Sequence, residues 1–130
     1  MLVADVTGDG YPDIVYAHYA SNPDELRVYV NDGTGGYSTT AVSSGISSPW
    51  NFSAGDLDGD GIQDLVVGNR LTNALELYKS QGNGTFTLLS SISSVGFPSI
   101  TTADIDLDGD MDIVTAGVFG STDVKVYHNQ

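Results

Sequence analysis

The chain has 130 residues, 40% of them hydrophobic, no cysteine, and a formal net charge of −13. That length holds one domain's worth of core. The acidity excludes a nucleic-acid partner, which needs a basic face, and no apolar stretch is long enough to cross a membrane as a helix. Without cysteine there are no disulfide staples, and the compartment stays open.

Residues 1–6 (Met-Leu-Val-Ala-Asp-Val) read as a short inner strand running into an acidic loop, Asp5-Val6-Thr7-Gly8-Asp9-Gly10-Tyr11-Pro12-Asp13. A strand over 13–19 and a turn over 20–25 follow, the turn marked by Ser21-Asn22-Pro23-Asp24. Residues 26–30 alternate, with Leu26, Val28 and Val30 on one face and Arg27 and Tyr29 on the other. A glycine-rich hairpin over 31–36 leads to an outer strand over 37–42. Residues 43–49 cross to a second unit of the same plan: strand 50–57, a loop, strands 64–70 and 74–79, a hairpin at 81–84 and an outer strand over 85–92. The third unit has strand 98–105, a loop, strand 112–118 and strand 124–128. It stops at Asn129-Gln130, where a hairpin and outer strand are expected. The units are therefore 1–48, 49–96 and 97–130. Met1 opens almost directly onto the first of them, so a secretory leader is expected to have been removed ahead of it.

The second loop is Asp56-Leu57-Asp58-Gly59-Asp60-Gly61-Ile62-Gln63-Asp64, and the third is Asp104-Ile105-Asp106-Leu107-Asp108-Gly109-Asp110-Met111-Asp112. The three loops start 51 and then 48 residues apart, which marks a repeat architecture. Twelve of the seventeen acids lie in them, three, four and five in turn. In the second loop carboxylates fall at positions 1, 3, 5 and 9, and a glycine at position 6 permits a tight turn. Hard cations such as Ca²⁺ take six to eight oxygens from carboxylates, carbonyls and water. The side chains of Asp56, Asp58, Asp60 and Asp64 could surround one such ion, with the Ile62 carbonyl completing the set. The same positions are Asp5, Thr7, Asp9 and Asp13 with the Tyr11 carbonyl in loop 1, and Asp104, Asp106, Asp108 and Asp112 with the Asp110 carbonyl in loop 3. Thr7 stands where the other loops have aspartate, so loop 1 is expected to be the weakest of three calcium sites. Asp-Gly turns capped by their own side chains would also give such loops without metal. Against that, three loops in one register gather acids that would repel without a cation. Three bound Ca²⁺ would bring the charge to about −7.

An EF-hand begins similarly but needs an acid at position 12 and flanking helices. Position 12 here is Tyr16, Val67 or Thr115, and the flanks Ile14-Val15, Leu65-Val66-Val67 and Ile113-Val114 favour strands. The chain resembles instead the FG-GAP/VCBS-type repeats of integrin-like β-propellers, some of them lectins. The three loops carry the likeness, with a small residue before each (Ala4, Gly55, Ala103), Ile/Leu-Val after it, a later Val/Leu-Tyr pair and a Gly-x-Gly-x-aromatic turn. The resemblance implies an all-β fold of four-stranded antiparallel blades round a central axis, with Ca²⁺ between the first and second strands. Three blades, the last incomplete, fall short of the four to eight that close a ring. Either copies assemble head-to-tail, two chains making six blades, or the chain is part of a longer propeller. A homodimer is the expectation.

Other residues carry less. Trp50 fits packing between blades, or a platform for a sugar ring. His18 and His128 read as exposed strand residues. Tyr29, Tyr78 and Tyr127 recur at one place in the repeat and read as structural. Arg27 and Lys125 align with Glu76 between them, which suggests a cross-blade ion pair. No nucleophile and base stand together, and no pair of carboxylates beyond the loops is selected, so the chain is read as non-enzymatic. The expected function is a calcium-binding interaction scaffold, extracellular or at the cell surface, where calcium fills weak sites. One alternative is a propeller lectin binding a glycan through Trp50, Tyr37, Phe97 and Tyr19. The other is a designed or excised propeller with no ligand but calcium.

Overall fold

The computed structural model describes residues 1–18, 24–93, 99–118 and 121–130. Eleven strands run in chain order: β1 (Leu2–Ala4), β2 (Asp13–His18), β3 (Glu25–Asn31), β4 (Tyr37–Ser47), β5 (Pro49–Gly55), β6 (Asp64–Asn69), β7 (Ala74–Ser80), β8 (Phe86–Ser93), β9 (Ser99–Ala103), β10 (Asp112–Val118) and β11 (Ser121–Tyr127). They form three antiparallel meanders, β1-β2-β3-β4, β5-β6-β7-β8 and β9-β10-β11. No helix occurs among the described residues. The three-unit plan is therefore all-β, and the third sheet has three strands.

Burial explains the sequence pattern. β2 alternates buried and more open positions, as a sheet covered on one face requires. All six residues of β6 are buried, because the second sheet is covered on both faces. Leu65 and Val67 point one way, joining Val15, Leu26, Val28, Tyr78 and Phe86 in a core between sheets 1 and 2. Val66 points the other way, to Leu75 and Ile113 between sheets 2 and 3. Period-two geometry thus turns the continuous run Leu65-Val66-Val67 into two separate cores. Polar contacts join the inner strands β5 and β9: the Ser53 and Thr102 hydroxyls are 3.1 Å apart, and Thr102 Oγ1 donates to the Ala54 carbonyl at 2.5 Å.

Several boundaries differ from the sequence reading. β1, β5 and β9 end at Ala4, Gly55 and Ala103, before the first loop aspartate, whose side chain turns back to receive loop amides. β4 runs on to Ser47, because a register shift beside Glu25 pairs Glu25 with Ser47. Most of the crossing expected at 43–49 is therefore strand. β11 starts at Ser121, where Ser121 pairs with Val118. Tyr19, most of the turn at 20–25, Phe97 and Pro98 lie outside the described residues.

The expected cross-blade pairing of Arg27 and Lys125 with Glu76 is corrected. Arg27 binds Glu25 two residues away, Nε donating at 2.6 Å. Glu76 is buried and takes hydrogen bonds from Asn69 Nδ2 (3.1 and 3.0 Å), Thr72 Oγ1 (3.1 Å) and the Tyr78 hydroxyl (2.8 Å). Four hydrogen bonds from three residues satisfy its carboxylate without a cation. Burial, then this carboxylate, push the Tyr78 phenol up.

Candidate metal loops

Each loop joins the first two strands of its sheet, so all three sit at equivalent corners. Position 1 organises the turn. Asp5 accepts from the amides of Gly8 (2.7 Å), Asp9 (3.3 Å) and Gly10 (2.8 Å). Asp56 does the same for Gly59 (2.8 Å), Asp60 (3.2 Å) and Gly61 (2.9 Å). Position 5 caps position 7: Asp9 accepts from Tyr11 N and Asp60 from Ile62 N, each at 2.9 Å, and Asp108 from Asp110 N at 3.0 Å.

Position 9 ties the loop to the sheet. Asp13, Asp64 and Asp112 have no exposed surface. One oxygen of each accepts from the amide at position 2: Val6 (3.1 Å), Leu57 (3.1 Å) and Ile105 (3.0 Å). The other accepts from the amide at or just past the end of the third strand: Asn31 (2.9 Å), Ser80 (2.8 Å) and Asn129 (2.9 Å). Ser80 and Asn129 also reach the preceding loop. Ser80 Oγ donates to the Val6 carbonyl at 2.5 Å and Asn129 Nδ2 to the Leu57 carbonyl at 2.7 Å. Asn31, the corresponding residue of sheet 1, donates to the Pro12 carbonyl at 3.1 Å.

The loops differ in what faces their acids. In loop 1 the Thr7 hydroxyl is 3.2 Å from Asp13 Oδ2 and 3.4 Å from Asp5 Oδ1. In loop 2 Lys79 Nζ binds Asp58, and Asp60 at 2.8 Å. In loop 3 His128 Nδ1 lies 3.3 Å from Asp106 and 3.5 Å from Asp112. Carboxylate oxygens converge to within 4.8 Å in loop 2 (Asp56, Asp58, Asp64) and in loop 3 (Asp104, Asp106, Asp108). Asp106 and Asp112 also group with His128. Asp104 Oδ1 is buried without a hydrogen-bond partner. An all-oxygen donor set with one orphaned buried oxygen fits a hard cation.

Acidities follow these contacts. The Lys79 ammonium, helped by the Ile62 amide, holds Asp60 below the usual carboxylate range. Burial raises Asp64 despite its two amide donors, and the Asp58 and Asp60 charges add to the rise. The Asn129 amide holds Asp112 down, with the Ile105 amide and His128 beside it.

Position 4 contains a strained residue. Gly8 and Gly59 occupy it at φ 75° in loops 1 and 2, but Leu107 occupies it at φ 63° in loop 3. A left-handed conformation costs a branched side chain about 1–2 kcal/mol, partly offset in glycine by its freer unfolded chain. Leu107 is 85% exposed, so its side chain contributes little packing. Leu107→Gly should therefore raise stability by about 1 kcal/mol in urea unfolding. Unchanged or lower stability would show that the strain is compensated.

The structure puts the fifteen expected loop residues in three compact corners. It also adds Lys79, Ser80, His128, Asn129 and Asn31, which the sequence reading did not assign. His128, expected as an exposed strand residue, lies past β11 against loop 3. One signal could have found the pair facing the acids: Val30, Lys79 and His128 recur at intervals of 49 residues. Trp50 is 45% exposed on β5, not buried in a seam, and Tyr37 is 50% exposed on β4. A cleft of about 330 Å³ opens between sheets 2 and 3. Its lining is mostly apolar, including Leu57, Leu77, Ile92 and Ile113, with Tyr127, His128 and Asn129 as its polar members.

Repeated acidic loops, each joining the first two strands of an antiparallel sheet, define a class of repeat protein with corners suited to cations. The FG-GAP-like repeat matches residues 5–67 and again 56–115, and the chain belongs to that family. No curated protein matches it.

Proposed function

We propose that this chain is a calcium-binding β-propeller module, acting as a non-enzymatic interaction scaffold outside the cell or at its surface. The observation that carries the metal reading is the buried, partnerless Asp104 Oδ1 beside Asp106 and Asp108. Asp56, Asp58, Asp60 and Asp64 with the Ile62 carbonyl would hold the ion in loop 2. The corresponding sets are Asp104, Asp106, Asp108 and Asp112 with the Asp110 carbonyl in loop 3, and Asp5, Thr7, Asp9 and Asp13 with the Tyr11 carbonyl in loop 1. Bound calcium supplies charge that offsets the acids; no bond is made or broken. FG-GAP repeats are typical of extracellular or surface proteins and generally serve as scaffolds. Extracellular calcium modules bind with Kd of roughly 10⁻⁴–10⁻³ M, which fills them only where calcium is plentiful.

The scaffold closes by self-assembly, two copies giving six blades. What supports this is the repeated link from one sheet to the loop before it, Ser80 to Val6 and Asn129 to Leu57. Head-to-tail copies would extend that series by bringing Asn31 of one to the Ile105 carbonyl of the other. Light scattering coupled to size exclusion, in calcium and in EDTA, should give the mass of two chains in calcium. One chain's mass in both buffers would remove the ring, leaving the metal reading to the calcium dependence of melting.

A further inference from the structure

The residue closing the loop-facing end of the third strand changes character from sheet to sheet. Val30 packs against the apolar core. Lys79, 49 residues later, crosses to loop 2 and places its ammonium between Asp58 and Asp60. These are positions 3 and 5, the side chains that a divalent ion would use. We propose that Lys79 is the resident counter-cation of loop 2, holding the loop together without metal and competing with any divalent ion that enters. The proposal rests on the reading of the loops as calcium sites.

Three physical points support it. The acids of loop 2 repel one another, and an ammonium offers three donors on a flexible stem that can fold in or swing out. The side chains of Lys79, Asp58 and Asp60 are each about one-third exposed, so the exchange has a route to solvent. The buried acid of this loop, Asp64, is held by amides and stays in place whichever cation is present. Loop 3 has instead an orphaned buried oxygen, and no lysine or arginine ion pair reaches it among the described residues. The three loops thus differ in resident charge although their backbone plan is shared. Loop 3 should fill before loop 2, and blade 2 should depend least on metal.

The test uses the full chain with Lys79→Met, which keeps the stem and removes the charge, and the reciprocal Val30→Lys. Calcium is titrated by calorimetry, and melting is followed in EDTA. Lys79→Met should tighten one site by about tenfold, the scale of losing two exposed ion pairs, and should lower the EDTA midpoint. Val30→Lys should weaken a different site by a similar factor. If wild type binds calcium and Lys79→Met leaves every affinity within about twofold, the counter-cation role is overturned and the metal reading stands. If no protein gives calcium heat, the metal reading itself is overturned, and this inference with it. Folding of Lys79→Met only in calcium would uphold the role, because the ion then replaces the lost charge. If that variant folds in neither buffer, Val30→Lys decides: an unchanged calcium profile overturns the proposal.

Discussion

Asp64→Ala should lower the unfolding free energy by about 2–5 kcal/mol in urea titration, with comparable losses for Asp13→Ala and Asp112→Ala. Asp64 has no exposed surface and accepts from the amides of Ser80 at 2.8 Å and Leu57 at 3.1 Å. Alanine leaves both amides without an acceptor, at about 1–3 kcal/mol each. Removing a carboxylate that burial has made costly to ionise offsets part of this and trims the upper end of the loss. A domain of this size has about 5–15 kcal/mol in all, so the variant approaches the threshold of folding. Asp110→Ala is the control: exposed and at position 7, it should stay within about 0.5 kcal/mol. Equal losses at both positions would mean that charge, not the tie between loop and sheet, governs the corners.

Removing calcium should have the next largest effect. A site with free ion at about 100 times its Kd adds on the order of 2.7 kcal/mol. For loops with Kd near 10⁻⁴ M that condition is reached at about 10 mM calcium. Melting in 10 mM calcium and in EDTA should then differ by roughly ten degrees or more, since each kcal/mol moves a domain of this size by a few degrees. Asp104→Asn should remove the largest share of the difference of any one loop, because it replaces the orphaned carboxylate oxygen with a group that takes part less readily in calcium binding. Identical midpoints in both buffers would leave the loops as capped turns and end the calcium reading. Calcium at loop 2 would also bring down the raised pKa of Asp64, whose cause is burial beside Asp58 and Asp60.

Much of the fold was legible because like residues recur. The nine-residue loops, the alternation of Leu26, Val28 and Val30, and Tyr29, Tyr78 and Tyr127 repeat in kind, so the period stands out. The strand after each loop could be read from its β-branched residues, and the three-sheet order followed. The residues that face the acids were hidden for the opposite reason. Val30, Lys79 and His128 share a place but not a chemistry, and a search for likeness passes over them. Glu76 was misread because alignment put it between Arg27 and Lys125, whereas burial gave it Asn69, Thr72 and Tyr78 as partners. The ends of β4 and β11 depended on a register shift and a tight pairing, neither of which leaves a mark in composition.

Ser80 and Asn129 each hold two loops at once, their own through the amide and the preceding one through the side chain. The corners therefore form a linear array with nearest-neighbour coupling, the arrangement in which stability propagates from unit to unit. Ordering of loop 2 is felt on both sides, through Ser80 by loop 1 and through Asn129 by loop 3. Through these links the outer two communicate only by way of the middle one. The middle corner is also the one that carries its own lysine, so the array keeps its central link when the surroundings are poor in metal.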